Sequence, residues 1–212
     1  MDLLKDLRQA VLDGNKEQAG SLTERALEAE HTPGAILHES LIRAMDIVGE
    51  EYEKEIRYLP EMLVSAEAMK GALTVLRPHL TYSEVRAAGT VVIGTVEGDL
   101  HDIGQNLVAM MLEGAGFEVI NLGADTPATA FVTAIQEADA DIVALSALLT
   151  TTRTQMREVI QTLRQAGLKE RIKVMIGGAP VTQEFADQIG ADGYAPDAAA
   201  AARLARRLIE AA

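Results

Sequence analysis

The chain has no cysteine, which excludes a disulfide framework, a thiolate zinc site and a cysteine-ligated iron–sulfur cluster. Any metal must be held through histidine, carboxylates or a prosthetic group. Long apolar runs are absent too: none reaches the roughly 18 residues of a transmembrane helix, and the start, Met1-Asp2-Leu3-Leu4-Lys5, lacks the basic-then-apolar pattern of a signal peptide. The expectation is a soluble cytoplasmic protein with no membrane partner. Positive charge is in short supply, with 19 Lys and Arg against 32 Asp and Glu and a formal net charge of −13. Such a surface is poorly suited to phosphate, so nucleic acid is not an expected partner, and the charge serves solubility. What is present is 212 residues, enough for one large domain or two modest ones, each with its own core.

The periodicity of the apolar residues changes partway along the chain. Residues 3–12, 16–29, 34–55 and 59–80 can each lay an apolar stripe along one helical face. Asn15 is placed to cap the second helix, Thr32-Pro33 supplies a capping side chain and an N-terminal proline for the third, and Pro60 lies near the start of the fourth. Four helices with short connections predict a small bundle over residues 1–83. After a polar stretch the pattern alternates, with strands expected at 90–96, 117–122, 141–145, 172–176 and 193–195 and helices between them. The fold class is therefore α/β. A helical bundle precedes a five-stranded, parallel, doubly wound sheet over residues 88–212 in the flavodoxin-like order.

The most informative segment is Glu97-Gly98-Asp99-Leu100-His101-Asp102-Ile103-Gly104, between the first strand and its helix. It lies at the carboxyl end of a parallel strand, the edge where open α/β sheets bind ligands. Asp99 and His101 are two apart. In an extended loop their side chains point the same way, so the carboxylate can accept a hydrogen bond from one ring nitrogen and leave the other for a metal. Gly98 and Gly104 fit a loop with unusual backbone angles and close approach of something bulky. Asp102 faces away from that pair and reads as the N-cap of the next helix. His31, His38 and His79 have no metal-ligand spacing and read as surface or capping residues.

Asp99-x-His101-x-x-Gly104 resembles the DxHxxG signature of cobalamin-binding domains, in which the nucleotide tail leaves cobalt and the motif histidine becomes the lower axial ligand. Ser146-Ala147-Leu148 resembles the family's Ser-x-Leu, Gly177-Gly178 its Gly-Gly, and Thr150 a cofactor-contacting threonine, each at a strand end and in the family's order. The resemblance implies that the serine hydroxyl bonds the motif aspartate or lines the tail pocket, and that the glycines make room for the nucleotide. It also implies cofactor contacts from Gly98, Asp99, His101, Asp102, Ile103, Gly104, Ser146, Leu148, Thr150, Gly177 and Gly178.

The helical half is similar to the cap that precedes this domain in methyl-transferring corrinoid proteins and in cobalamin-dependent methionine synthase. The similarity runs through Met45-Asp46-Ile47-Val48-Gly49, Tyr52, Tyr58-Leu59-Pro60-Glu61-Met62-Leu63 and Ala66-Glu67-Ala68-Met69-Lys70. Met45, Tyr52, Leu59 and Met62 would then face the cofactor, although relatives usually carry phenylalanine where this chain has Tyr52 and Tyr58.

The resemblance implies a corrinoid methyl carrier, not catalytic alone, whose cofactor is cobalamin or a related corrinoid, with methylcobalamin as its loaded form. His101, Asp99 and Ser146 would form the working group. The imidazole would bind methyl-cobalt(III), release cobalt(I) and take up a proton as it lets go, while Asp99 couples its protonation to the cobalt. The implied partners are a substrate-specific methyltransferase that delivers the methyl from a methylamine, methanol, a methoxylated aromatic or a betaine, and a second methyltransferase passing it to a thiol or a folate. A reductive activase is a further implied partner. The same motifs also serve a radical mutase subunit or a cobalamin-based sensor, but a preceding helical cap suits methyl transfer and the acidic chain has no room for a DNA-binding module. A cofactor-free receiver would need a phosphorylatable aspartate where Ser146-Ala147-Leu148 stands.

Overall fold

A computed structural model of the chain describes residues 2–80 and 88–211. The chain divides into two compact units, residues 1–87 with Glu113–Gly116, and residues 88–112 with 117–212. The boundary expected at residues 83 to 88 falls largely outside the described residues.

In the helical unit, α1 spans Leu3–Leu12, α2 Lys16–Glu28 and α4 Leu59–Leu76, and α3 runs continuously through Pro33–Ala35, Ile36–Ile42 and Arg43–Glu53. The expected caps are in place. Asn15 accepts from the Gln18 N–H at 3.1 Å and Thr32 from the Ala35 N–H at 3.2 Å, with Pro33 in the first turn. At α4 the Tyr58 N–H donates to the Glu61 carboxylate at 2.8 Å, the half of a capping box that needs no polar side chain at the cap itself. Two departures from the expected helices have local causes. Residue 55 was expected to close α3, but Glu55 has left the helix at φ +56. The last helix gives way after Leu76 to a 3-10 turn, Arg77–His79, because Pro78 has no N–H to donate and its ring crowds the preceding turn. The middle of α3 has the wider π-helical winding over Ile36–Ile42, which no sequence period announces. Leu7, Leu22, Ile36, Leu41, Met62, Met69 and Leu76 are among the buried side chains that hold these helices together.

The second unit contains, in order, β1 (Thr90–Thr95), α5 (Ile103–Gly114), β2 (Glu118–Asn121), α6 (Ala128–Ala138), β3 (Ile142–Ser146), α7 (Gln155–Gln165), β4 (Lys173–Gly177), α8 (Gln183–Ile189), β5 (Gly193–Ala195) and α9 (Ala198–Glu210). The strands pair in the order β2-β1-β3-β4-β5, all parallel, the flavodoxin-like order expected. Every residue of β1 is buried, as a parallel strand covered on both faces requires. On one face Val92, Val143 and Val174 meet Phe131 and Ile135 of α6 and Ile160 and Leu163 of α7. Each such side chain contributes about 1.5–3 kcal/mol of burial.

Some strand bounds shift by one residue. β3 begins at Ile142, because the Asp141 carboxylate accepts the Thr90 N–H at 2.8 Å and works as a cap at the sheet's entry edge. It extends instead to Ser146. Val96 lies past β1 and keeps only an isolated bridge to Thr126. Among the described residues no helix is long and apolar enough to cross a membrane.

Candidate functional site

Register brings the strand ends together. Thr95 pairs with Ser146, and Ser146 with Gly177, so the loops after β1, β3 and β4 leave the sheet side by side. Between β1 and β3 the winding reverses direction, which opens the crevice that ligands use in this architecture. The three separate sequence segments thus converge on one edge.

Asp99 is fully buried at that edge. Its Oδ1 lies 2.7 Å from His101 Nδ1 and accepts the His101 N–H at 3.1 Å. Its Oδ2 accepts the Thr152 hydroxyl at 2.6 Å and the N–H groups of Leu148 at 2.8 Å and Leu149 at 3.3 Å. Burial pushes this carboxyl up, but the bonds from Thr152, Leu148 and His101 outweigh it and hold the group well below the usual carboxylate range. Asp99 is therefore an anion facing the imidazole, and an anion can only accept. Nδ1 carries the proton, and the lone pair is left on Nε2.

The His101 side chain is half exposed, and among the described residues Nε2 has no hydrogen-bond partner. The loop is fixed from behind as well, since the buried Thr95 hydroxyl donates to the His101 carbonyl at 3.1 Å.

The loops that carry Asp99, His101 and their partners expose aliphatic side chains beside polar ones such as Asp102 and Thr150. Leu100, Ile103, Leu148 and Leu149 are 76%, 81%, 45% and 42% exposed. Large aliphatic side chains grouped on exposed loops mark a binding surface. Among the described residues a Cβ at Gly104 would meet nothing within 4 Å, so their packing gives no reason for a missing side chain there. Gly98 has φ +79, which its turn demands. Gly178, at φ +123, would place a Cβ 1.9 Å from the Ala147 carbonyl oxygen, so that glycine is required by the close approach of two strand-end loops.

The donor set also limits what could bind. Among the described residues no three His, Asp or Glu side chains converge to hold a bare ion. One oriented imidazole nitrogen on loops that expose large aliphatic side chains could hold a metal brought within a larger prosthetic group. The residues present fit a corrinoid.

The structure also redistributes roles. The hydroxyl on Asp99 belongs to Thr152, and the hydrogen bond offered to Ser146 as one of two roles is not formed; Ser146 stays half-buried at the end of β3. Thr150 is exposed, and Leu148 acts on Asp99 through its N–H. Asp102 holds the cap position of α5, its carbonyl accepting the Asn106 N–H at 2.7 Å. In the helical unit Met45 and Met62 are buried, Leu59 is exposed and Tyr52 is half-buried. Thr152 was missed because the run Thr150-Thr151-Thr152 offers no spacing that singles out its third member; burial alone separates it from the other two.

Comparisons with known proteins identify the family. Residues 89–203 and residues 3–77 each match a family model described as a B12 binding domain. The chain is 40% identical to a corrinoid protein of Desulfitobacterium hafniense (strain Y51), over 99% of this chain and 98% of that one. It is also 40% identical to dimethylamine corrinoid protein 2 of Methanosarcina acetivorans, over 98% of this chain and 96% of that one. Among solved structures, the methanol:cobalamin methyltransferase complex MtaBC of Methanosarcina barkeri matches with a TM-score of 0.88 at 30% identity, covering 100% of this chain and 81% of that one. A cobalamin-binding protein of Desulfitobacterium hafniense DCB-2 matches with a TM-score of 0.80 at 31% identity, covering 98% of each chain. None of these points to a radical mutase or a sensor. The chain belongs to the B12-binding family, among the corrinoid proteins of methyltransferase systems.

Proposed function

We propose that this chain is a methyl carrier, with His101 as the lower axial ligand of a bound corrinoid. The observation that supports it most is the buried, ionised Asp99 that engages His101 Nδ1 and leaves Nε2 for a ligand, on loops that expose large aliphatic side chains. When bound, the corrinoid supplies a cobalt centre that accepts a methyl group in its reduced state and gives it up to an acceptor. The protein's part is to hold and release a proton at one atom. While Nε2 is a ligand it carries none; when it lets go it can take one up, and the Asp99 anion 2.7 Å from Nδ1 then stabilises the imidazolium. Thr152 and the Leu148 N–H keep Asp99 ionised throughout.

In this reading Gly98, Asp102, Ile103, Gly104, Ser146, Leu148, Thr150, Gly177 and Gly178 line the cofactor's place. Residues 1–83 serve as the cap; within that unit Leu59 is exposed and Tyr52 half-buried, whereas Met45 and Met62 are buried. The partners are a substrate-specific methyltransferase, as the MtaBC relative suggests, a second methyltransferase using a thiol or folate, and a reductive activase. The compartment is the cytoplasm.

The test is anaerobic reconstitution with methylcobalamin, removal of free cofactor, and visible spectroscopy of the protein and of His101→Ala. The expected result is stoichiometric retention with an imidazole-ligated spectrum. The variant keeps its fold, loses that spectrum and binds about 100-fold more weakly. Identical spectra for the two proteins would sink the assignment.

A further inference from the structure

A second carboxylate reaches the His101 loop from the loop after β2. Asp125 Oδ1 accepts the Gly98 N–H at 2.7 Å, and the Asp125 N–H donates to the Asp99 carbonyl at 3.0 Å. Two bonds of opposite sense therefore grip the main chain at consecutive residues, just before the imidazole. The grip has a fixed base. Thr126 donates to the Thr95 carbonyl at 3.0 Å, the Thr95 N–H donates to Gly123 at 2.9 Å, and Val96 bridges Thr126. These contacts tie residues 123–126 to the end of β1.

Nothing in the core explains the choice of residue. Asp125 is exposed, and its φ of +53 lies in the left-handed region, where glycine is free and most side chains are disfavoured. A carboxylate kept there in place of glycine has its use in the bond to Gly98. That bond matters because Gly98, at φ +79, has no side chain of its own to anchor it, and among the described residues the nearest atom to a Cβ placed there would be Thr152 Cγ2 at 3.7 Å.

We propose that Asp125 is a positioning residue for His101: by holding the Gly98 amide and the Asp99 carbonyl it sets where the imidazole returns after each release. The proposal rests on the reading of His101 as the axial ligand. Asp99 orients the ring, whereas Asp125 places the backbone that carries it. The two carboxylates act on different parts of one loop.

The experiment compares Asp125→Asn, Asp125→Ala and Asp125→Gly in the full chain, with two readouts. One is hydrogen exchange of the Gly98 amide in cofactor-free protein; the other is the affinity for methylcobalamin and its bound spectrum. Asparagine tolerates the left-handed backbone and keeps an oxygen acceptor, so it stays within about 3-fold of the parent in both. Alanine and glycine expose the Gly98 amide to exchange about 10-fold faster and weaken binding by about 10-fold, with less of the imidazole-ligated spectrum. Glycine does this even though it relieves the backbone and leaves the melting temperature unchanged or higher.

A glycine variant that binds like the parent would overturn the proposal, as would unchanged Gly98 exchange in both truncations. Faster exchange with undiminished binding overturns it alone. Failure of the parent to retain the corrinoid overturns the reading of His101, and this proposal with it.

Discussion

The two units use their buried polar side chains in opposite ways. In the helical unit Thr23, Ser40 and Ser65 are fully buried, and each hydroxyl donates to a backbone carbonyl: Ala19 at 2.8 Å, Leu4 at 2.9 Å and Leu12 at 3.1 Å. These are neutral bonds spread through the bundle, and each can be lost separately. In the α/β unit Thr95, Asp99, Thr126 and Thr152 are gathered at the carboxyl edge of the sheet, where they bond to Asp99 or to the loops around it. Of these hydroxyls only that of Thr152 reaches Asp99, where it joins the N–H groups of His101, Leu148 and Leu149; such convergence on one charge is costly to build, since those donors depend on the same carboxylate. A fold that needed only stability would not concentrate its buried polarity in this way.

The comparison is broken most severely at its centre. Asp99→Ala takes the carboxylate away from the buried Thr152 hydroxyl, which keeps only the Leu149 carbonyl at 3.1 Å, and from the part-buried N–H groups of Leu148, Leu149 and His101. At about 1 kcal/mol for each of the bonds lost from Thr152, Leu148, Leu149 and His101, the expected loss is about 3–5 kcal/mol. Urea unfolding of the cofactor-free chain measures it, and a loss below about 1 kcal/mol would mean that the convergence has no energetic weight.

Thr152→Val tests a single spoke. It keeps the shape and removes one hydroxyl from an ionised acceptor, for a loss of about 2 kcal/mol near neutral pH. It also carries a pH signature. Because the folded Asp99 titrates below its unfolded value near 4, its contribution is fully present above about pH 4 and fades as pH falls through the folded value. With valine the folded value rises toward the ordinary one, so stability falls less steeply below pH 4. A parallel acid profile for the two proteins would contradict the role given to Thr152.

These two positions also show what the sequence made legible. The strands and their order followed from β-branched runs and helical periods, because those patterns are local and the connection rules of parallel sheets are strict, while the motifs at three strand ends were marked by their resemblance to the cobalamin-binding family. Asp99 and His101 were readable for the same reason, being two residues apart on one loop. Thr152 lies 53 residues from Asp99, and the contact depends on how a 3-10 turn is aimed after β3. Side-chain aim at a turn has no period. Asp125 was hidden in the same way, since its αL backbone and the reach to Gly98 exist only once β1 and β2 are paired. The π-helical winding of α3 was equally unmarked in its residues.

On the helical side, Ser65→Ala removes a hydroxyl that donates to the Leu12 carbonyl and accepts from Arg57 Nη1 at 3.2 Å. Arg57 itself donates to that carbonyl at 2.8 Å, so the acceptor stays satisfied. The expected loss is about 1 kcal/mol, with no change in cobalamin affinity. A loss as large as that of Thr152→Val would erase the contrast between the units.

The smallest effect is expected at Ser146. The family resemblance offered it a bond to Asp99 as one of two roles, yet the bonds to the Asp99 carboxylate come from His101, Leu148, Leu149 and Thr152, so Ser146→Ala strands no donor and should stay within about 0.5 kcal/mol of the parent. Its cofactor affinity then decides between the remaining readings of this position. An unchanged melting temperature with a several-fold weaker hold on methylcobalamin means that the hydroxyl faces the bound group. Unchanged values of both mean that Ser146 is only the polar end of a buried strand, and that Thr152 alone supplies the hydroxyl on which the Asp99 anion depends.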